Sequence, residues 1–388
     1  MDKALTDLIK ISNTTGKDST LVQGGGGNTS VKTDDGKYMY IKASGTALKD
    51  MNEKKGWRRL RLASVLSIIE DDSLAKLEAN IREPEVVNRL LLACDDNVTD
   101  GSRPSVESHL HGFLDKCVIH LHPIAIAAYV NAKNGQKEIE KLFKKEKFPP
   151  LWVPYADPGF MLAKKIDKLV SQYQNKFGRK PAVMILQKHG LFVTAKTADA
   201  ALSLVRKVIK LCNSKLKEPK PKKTKLPSDS DITAAFNAIH KALLDSTGLD
   251  MPVSYFPDQE SVAAFISRKD AAKLLGTPAL NPDELVYANG SAMWLENCDV
   301  KTITRKLKSL ITKEQKPAAA FIIKDLGLFV AANRKTASLI ADITAASVLI
   351  RMYASKFGGV LALNKRQQDF INNWESEAFR LKLASDKK

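Results

Sequence analysis

The chain has 388 residues, of which 44% are hydrophobic and 27% charged, values typical of globular proteins of two or three domains. This composition excludes a wholly disordered chain, a collagen-like chain and a coiled-coil rod. Lysine and arginine outnumber the acidic residues and give a net charge of +18. The longest apolar stretches, such as residues 118–130, fall short of the ~20 residues of a membrane span. The N-terminal segment has no apolar signal core, so we expect a cytoplasmic protein that does not bind membranes.

The first half of the chain alternates helical and extended patterns. Helical periodicity predicts helices over residues 1–14, 84–95 and 106–114. Strict alternation predicts a strand over residues 37–42, and a β-like run over residues 118–122 predicts another. This mixture indicates an α/β protein with a mixed sheet.

One supersecondary pattern occurs twice: a strand, a glycine turn, a second strand and a long helix. The first copy spans residues 181–216 and the second residues 317–357. The second copy has Leu326 where the first has His189. We therefore interpret residues 1–215 as the catalytic domain and residues 231–388 as a degenerate second copy that lacks this histidine.

Residues 216–230 separate the two copies. Six lysines lie between Lys215 and Lys225 together with two prolines and no aromatic residue. This composition favours an exposed linker. Nucleic-acid binding through the linker is the alternative, and the lack of aromatic or docking residues makes us expect no nucleic-acid partner.

The four cysteines lie far apart in the chain and include no C-x-x-C pair. Their spacing argues against a disulfide framework and against a thiolate zinc site, as in a protein from a reducing compartment.

Histidines form the sharpest chemical signal. His120 and His122 are two residues apart in a predicted strand, so their side chains point to the same face. His189 follows another strand and could provide a third nitrogen. Three neutral imidazoles with one oxygen ligand suit catalytic zinc, whereas a coincidental pair of buried histidines is the alternative.

Two further motifs precede these histidines. Ser105 resembles a helix N-cap that places Glu107 in the first turn, although an ordinary capped helix has the same pattern. Residues 24–27 are consecutive glycines, followed by Asn28 and Thr29, and such a turn lets backbone approach an anion. No Walker A or dinucleotide-binding pattern accompanies it.

In this order, GGGGNTSVK, YIKASGTAL, RPSVESHLHGFL, His-x-His and Lys-His-Gly resemble the class II aldolase/adducin family. Within the family, the motifs are most similar to the aldolase part of the bifunctional rhamnulose-1-phosphate aldolase/short-chain dehydrogenase branch. We expect the dehydrogenase half to be absent from these residues.

The resemblance implies a class II aldolase-like mixed sheet flanked by helices, followed by a smaller degenerate α/β repeat. It implies one Zn²⁺ per chain, with Glu107 as catalytic base and Tyr155 as proton donor. The metal ligands carried over from the family are His120, His122, His189 and Glu107. The residues carried over for the substrate phosphate are Asn28, Thr29, Ser44, Gly45 and Ser105.

The implied activity is that of a zinc-dependent lyase acting on a small phosphorylated ketose, such as rhamnulose-1-phosphate or fuculose-1-phosphate. It would yield dihydroxyacetone phosphate and an aldehyde through a metal-stabilised enediolate. The family also implies a homo-oligomer. The alternatives are an epimerase or decarboxylase with the same site, and a non-catalytic scaffold protein of the adducin kind.

Overall fold

The structure, a computed structural model, describes residues 2–96, 98, 101–217, 219–220, 227–313, 315–376 and 379. Within the predicted linker 216–230, residues 218 and 221–226 lie outside the described residues. The described chain forms two compact units. Unit 1 comprises the described residues of Met1–Val130, Gln136–Lys215 and Asp369–Leu383, and unit 2 those of Asn131–Gly135 and Leu216–Gln368.

Unit 1 is built on a seven-stranded sheet of order β3-β2-β1-β4-β7-β6-β5. Neighbouring strands are antiparallel except β5 and β6, which are parallel. Its strands are β1 Asn28–Lys32, β2 Tyr38–Lys42, β3 Trp57–Arg61, β4 Cys117–Leu121, β5 Leu151–Val153, β6 Val183–Leu186 and β7 Leu191–Ala195.

The helices in this part of the chain are α1 Lys3–Gly16, α2 Leu62–Glu70, α3 Ala79–Ala93, α4 Ser108–Gly112, α5 Ile124–Val130, α6 Gly135–Leu142, α7 Phe160–Phe177 and α8 Ala198–Asn213. A hydrophobic core that includes Ile41, Val118 and Met184 of the sheet also contains buried residues of α2, α3 and α7. This packing buries the apolar face of each helix.

Two helices begin at different residues from those the sequence predicts. Helix α3 begins at Ala79 and contains Pro84, which the pattern marked as a start. Pro84 is the sixth residue of this helix, so its missing N–H removes one i→i−4 hydrogen bond, and the buried contacts of the helix must offset that loss. Helix α4 begins at Ser108, so Glu107 occupies the cap position with φ −91° and ψ 8°. Ser108 N–H donates to Ser105 O over 3.0 Å, forming a turn before the helix.

Unit 2 contains a four-stranded sheet of order β8-β11-β10-β9. Its strands are β8 Val253–Phe256, β9 Met293–Leu295, β10 Ala320–Ile323 and β11 Gly327–Ala331. The helices of the second half of the chain are α9 Asp229–Thr247, α10 Glu260–Ile266, α11 Ala271–Leu275, α12 Pro282–Ala288, α13 Val300–Thr312, α14 Arg334–Ala354 and α15 Lys365–Asn372. The chain thus has the expected α/β class, with mixed sheets flanked by helices.

Helix α14 is the one helix in the described chain that is long and apolar enough to cross a membrane by length and composition. The relevant stretch is Thr336–Ala354, and 78% of it is buried inside the protein, as in the core helix of a globular domain.

The four strands of unit 2 have the same order and directions as β4-β7-β6-β5 of unit 1. The registers also correspond, because Phe192 pairs with His120 and Phe329 pairs with Tyr255. After β6 and β10 the turns match as well: His189 N–H donates to Leu186 O and Leu326 N–H to Ile323 O, both over 3.1 Å. His120 and His189 of unit 1 therefore correspond to Tyr255 and Leu326 of unit 2.

Candidate metal centre

The central strand of unit 1 carries two imidazoles to the site. His120 and His122 lie at the end of β4 on the same face, and their Nε2 atoms are 3.1 Å apart. The turn between β6 and β7 adds His189, and one nitrogen from each of the three rings lies within 4.8 Å of the others. The structure thus brings together the three histidines that the sequence singled out.

Two glycines allow the chain to pass close to this strand end. A Cβ atom on Gly190 would lie 2.4 Å from Leu121 O and 2.8 Å from His122 Cδ2. A Cβ atom on Gly27 would lie 2.6 Å from His120 O. Both clashes involve backbone, so the glycines that flank β4 are needed for close approach.

The turn that carries His189 has a left-handed residue, Lys188, with φ 56°. Its counterpart in unit 2, Asp325, has φ 62° although that turn carries no histidine. The left-handed conformation therefore belongs to the turn and does not depend on the presence of a histidine.

Glu107 reaches the histidines from the cap of α4. Its Oε2 atom lies 3.5 Å from His120 Nε2, and its Oε1 atom lies 3.7 Å from His189 Nε2. Asn28 Nδ2 donates a hydrogen bond of 2.6 Å to Oε2. Oε1 is buried and has no hydrogen-bond partner among the described residues. A buried carboxylate oxygen without a donor is costly unless a cation is bound beside it.

Burial and charge set the protonation states needed for metal binding. Burial raises the pKa of Glu107, but His120, His189 and the Asn28 hydrogen bond outweigh it and hold that pKa at about 2. Burial lowers the pKa of His120 well below its usual value, although Glu107 opposes the shift. At neutral pH the site therefore contains a carboxylate and a neutral imidazole, the forms that bind metal ions.

A backbone carbonyl orients His120. Its Nδ1 atom lies 3.1 Å from Leu191 O, which accepts a hydrogen bond from the Nδ1–H tautomer. Nε2 then carries the lone pair and points toward the other two rings. Such a carbonyl partner is typical of metal-binding histidines.

The donor set fits a zinc-like ion. Three imidazole nitrogens and one carboxylate converge, with His120 and Glu107 buried and His122 and His189 partly exposed. Glu107 Oε1 has no hydrogen-bond partner among the described residues. Three imidazoles are a ligand set of catalytic zinc, in which an oxygen ligand occupies the fourth position.

The residues expected to bind phosphate form a second group around Lys42. Ser44 N–H donates to Arg103 O over 2.8 Å, and Ser105 N–H donates to Lys42 O over 3.0 Å. These bonds bring Ser44, Gly45 and Ser105 together at the end of β2. The buried Lys42 ammonium donates to Gly25 O over 3.3 Å, which joins the glycine turn to this group. Sequence reasoning noted Lys42 only as part of a motif, since burial of its charge cannot be inferred from spacing.

The side chains of Asn28 and Thr29 both make contacts inside unit 1. The Asn28 amide binds Glu107, so its contact is with the carboxylate of the metal group. Thr29 is the next residue of β1, and strand alternation points its side chain to the opposite face, where its hydroxyl lies 2.6 Å from Ser12 Oγ. The assignment of Thr29 to the phosphate group stays a prediction, and its backbone N–H is not engaged by this hydroxyl contact.

Tyr155 follows β5 beside the turn that carries His189. Its hydroxyl donates to Asp157 Oδ1 over 3.1 Å, and its N–H donates to Gln187 Oε1 over 3.0 Å. The Lys188 ammonium lies 5.4 Å from the centre of its ring. These contacts place Tyr155 next to the residues preceding His189.

Three residues of one β1 face hold α4, and sequence reasoning assigned no such role to Ser30 or Lys32. Besides the Asn28 contact, Ser30 Oγ lies 2.8 Å from His111 Nδ1. Lys32 Nζ donates to the carbonyl oxygens of His111, Leu114 and Asp115 over 2.8, 2.9 and 2.8 Å. The alternation Asn-x-Ser-x-Lys was the available signal, because alternate residues of a strand share a face.

Residues 6–216 match the family described as "Class II Aldolase and Adducin N-terminal domain". More than half of the chain is covered, so the protein belongs to this family, as the motifs predicted.

The sequence identity of this chain to individual relatives is low. The chain is 24% identical over 426 residues to "Uncharacterized oxidoreductase YuxG" of Bacillus subtilis (strain 168), and the match covers 99% of this chain and 59% of that protein. The chain thus spans less than two thirds of this relative's length.

Among solved structures, the N-terminal class II aldolase domain of a conserved protein from Thermoplasma acidophilum is 27% identical, with a TM-score of 0.45 over 55% of this chain and 94% of that one. L-fuculose-1-phosphate aldolase from Thermus thermophilus is 16% identical, with a TM-score of 0.34 over 55% and 94% of the two chains.

Proposed function

We propose that the protein is a zinc-dependent lyase that cleaves a small phosphorylated ketose to dihydroxyacetone phosphate and an aldehyde. The observation that carries the proposal is the buried Glu107 carboxylate, which faces the imidazoles and keeps one oxygen without a hydrogen-bond partner in the described chain. Family membership and the sugar-phosphate aldolases among the structural neighbours agree with it.

His120, His122, His189 and Glu107 would hold one ion per chain. When bound, a divalent ion would act as a Lewis acid that lowers the free energy of negative charge on the ketose oxygens. The protein's part is to hold the imidazoles in place and to limit the access of water, which burial of His120 and Glu107 supports.

Glu107 would transfer the proton to and from the reacting carbon of the ketose fragment. In the aldol-forming direction its carboxylate removes a proton from the ketose fragment, and in cleavage it returns that proton. The Asn28 amide holds Oε2, so Oε1 is the oxygen available for this exchange. The low pKa of Glu107 in the metal-free site keeps the carboxylate ionised at neutral pH.

The group around Lys42 would bind the phosphate of the substrate. Ser44, Gly45 and Ser105 offer hydroxyl and backbone donors, and Lys42 supplies positive charge. Tyr155 is proposed as the proton donor to the leaving aldehyde oxygen. Its position beside the residues preceding His189 supports this role.

The second unit is proposed to be a degenerate copy of the first. The repeated strand order and register support this, and Tyr255 and Leu326 at the histidine positions make it unsuited to hold the same ion. We further propose a cytoplasmic homo-oligomer. Membership in the rhamnulose-1-phosphate aldolase branch is likewise a proposal, which rests on the motifs of residues 23–190.

The test is a product assay with zinc-loaded protein. Rhamnulose-1-phosphate and fuculose-1-phosphate are incubated with the wild type and with Glu107→Gln, and dihydroxyacetone phosphate and aldehyde are measured together. We expect equimolar release of both products by the wild type alone.

Other results identify the alternatives. Conversion of a sugar phosphate without aldehyde release would indicate an epimerase or decarboxylase with the same site. Failure to bind metal, with no conversion of any sugar phosphate, would indicate a scaffold protein of the adducin kind.

A further inference from the structure

Phe192 stacks on one of the metal-site imidazoles. It lies opposite His120 in the β4–β7 ladder, and the two ring centroids are 4.1 Å apart with an angle of 17° between their planes. Both side chains are buried. This contact is therefore a nearly parallel stack inside the protein, where neither ring can leave without opening the sheet.

Two contacts together define the orientation of His120. The hydrogen bond from Nδ1 to Leu191 O directs the ring edge, and the face of Phe192 fixes the ring plane. The rings of His122 and His189 stand almost perpendicular to His120, at 73° and 87°. A tilt of the His120 plane would therefore move its Nε2 atom relative to the other two nitrogens.

Phe192 also packs against a second histidine, on helix α4. Its ring meets the ring of His111 edge to face, with centroids 5.5 Å apart and planes at 68°. His111 is in turn fixed by Ser30 and by its place on α4. The stack thus rests on the helix that presents Glu107.

We propose that Phe192 is a positioning residue of the metal centre, whose ring fixes the plane of the His120 imidazole and thereby raises metal affinity. The inference rests on the proposed function, because it assumes that the three histidines bind a metal ion.

Unit 2 contains a matched control. Phe329 occupies the corresponding register position, is equally buried and packs against Tyr255 with centroids 4.8 Å apart and planes at 33°. Phe329 contacts a tyrosine where Phe192 contacts a histidine. Phe329→Leu therefore measures how much stability the same substitution costs at a position with no metal-binding histidine beside it. Phe192→Leu adds to that cost any effect on His120.

The experiment measures the Kd for zinc by competition with a chromophoric chelator, and the visible spectrum of the Co²⁺-substituted protein. We expect Phe192→Leu to weaken zinc binding by about 10–100-fold and to change the Co²⁺ ligand-field bands, as loss of a supporting contact does at other sites. Phe329→Leu should leave the zinc Kd and the Co²⁺ spectrum as in the wild type.

Three results would overturn the inference. Unchanged zinc affinity in Phe192→Leu, or an equal loss in Phe329→Leu, would reduce the stack to ordinary packing while leaving the proposed function intact. No zinc binding by the wild type would overturn both. If Phe192→Leu does not fold, Phe192→Met removes the planar face with less loss of volume and is judged by the same criteria.

Discussion

Glu107 carries the proposed chemistry at the scale of a single residue. Its carboxylate has one oxygen fixed by Asn28 and one oxygen without a hydrogen-bond partner in the described chain. Glutamine has the same shape but cannot accept a proton at neutral pH. We expect Glu107→Gln to lower kcat by about 10²–10⁴-fold, the usual contribution of a general base, while zinc remains at least partly bound. Rate and metal content are measured on the same preparation, and full activity on a confirmed substrate contradicts the base assignment.

A second residue-scale prediction concerns stability and pH. Burial lowers the pKa of His111 from 6.5 to about 3, with Glu107 opposing the shift. Between those pH values the unfolded chain binds a proton that the folded protein does not, so stability falls as the pH decreases through this window. At pH 5 the loss from this residue is about 2 kcal/mol relative to pH 7.

His111→Asn removes this proton uptake. In urea unfolding of the metal-free protein, the difference in unfolding free energy between pH 7 and pH 5 should decrease by about 2 kcal/mol in the variant. An unchanged difference would mean that His111 is not the group responsible.

At the scale of elements, β1 holds helix α4 through Lys32. Its buried amino group donates to three carbonyl oxygens at the C-terminal end of α4 and in the following loop, and burial lowers the pKa of this group to about 7. Lys32→Met removes the donor to Leu114 O and Asp115 O, whereas His111 O keeps backbone N–H donors, and we expect a loss of about 3 kcal/mol in unfolding free energy. Denaturant unfolding measures it. Lys37→Met, at an exposed position, is the matched control and should change stability by less than about 0.5 kcal/mol.

Helix α14 of unit 2 depends on a buried ion pair. Arg351 is fully buried and donates to Glu284 Oε1 over 2.8 Å and to Pro278 O over 2.8 Å. Glu284 Oε2 in turn accepts from Leu280 N over 2.7 Å, so the pair joins α14 to α12 and to the loop before it.

Removing one partner leaves an uncompensated buried charge. We expect Arg351→Met to destabilise unit 2 by about 3–5 kcal/mol. The double variant Arg351→Met/Glu284→Gln should recover part of that loss, because no buried carboxylate remains. Hydrogen exchange of β10 amides measures both variants. A double variant less stable than Arg351→Met would contradict this expectation. It would show that the hydrogen bonds accepted by the Glu284 carboxylate stabilise unit 2 by more than its unpaired charge destabilises it.

For the whole molecule, local sequence patterns predicted the class, the repeated supersecondary unit and the three histidines that meet. These features depend on periodicity and on short spacing, as in His120 and His122 on one strand. The Asn28–Glu107 contact could not be predicted, because it joins segments far apart in the chain. The burial of Lys42 could not be predicted either, because it depends on how the glycine turn packs against β2. The contact between the hydroxyls of Thr29 and Ser12 could not be predicted either, because it joins β1 to α1.

For the chain as a whole, we propose that it binds one metal ion, in unit 1. Metal content of the purified protein by mass spectrometry, before and after incubation with zinc, tests it directly. The comparison is with His120→Ala/His122→Ala and with His240→Ala, which removes an exposed histidine paired with Asp250 in unit 2. We expect about one zinc per chain in the wild type and in His240→Ala, and none in the double variant. A wild type that takes up no zinc, or a double variant that retains it, would show that these histidines do not form a zinc site.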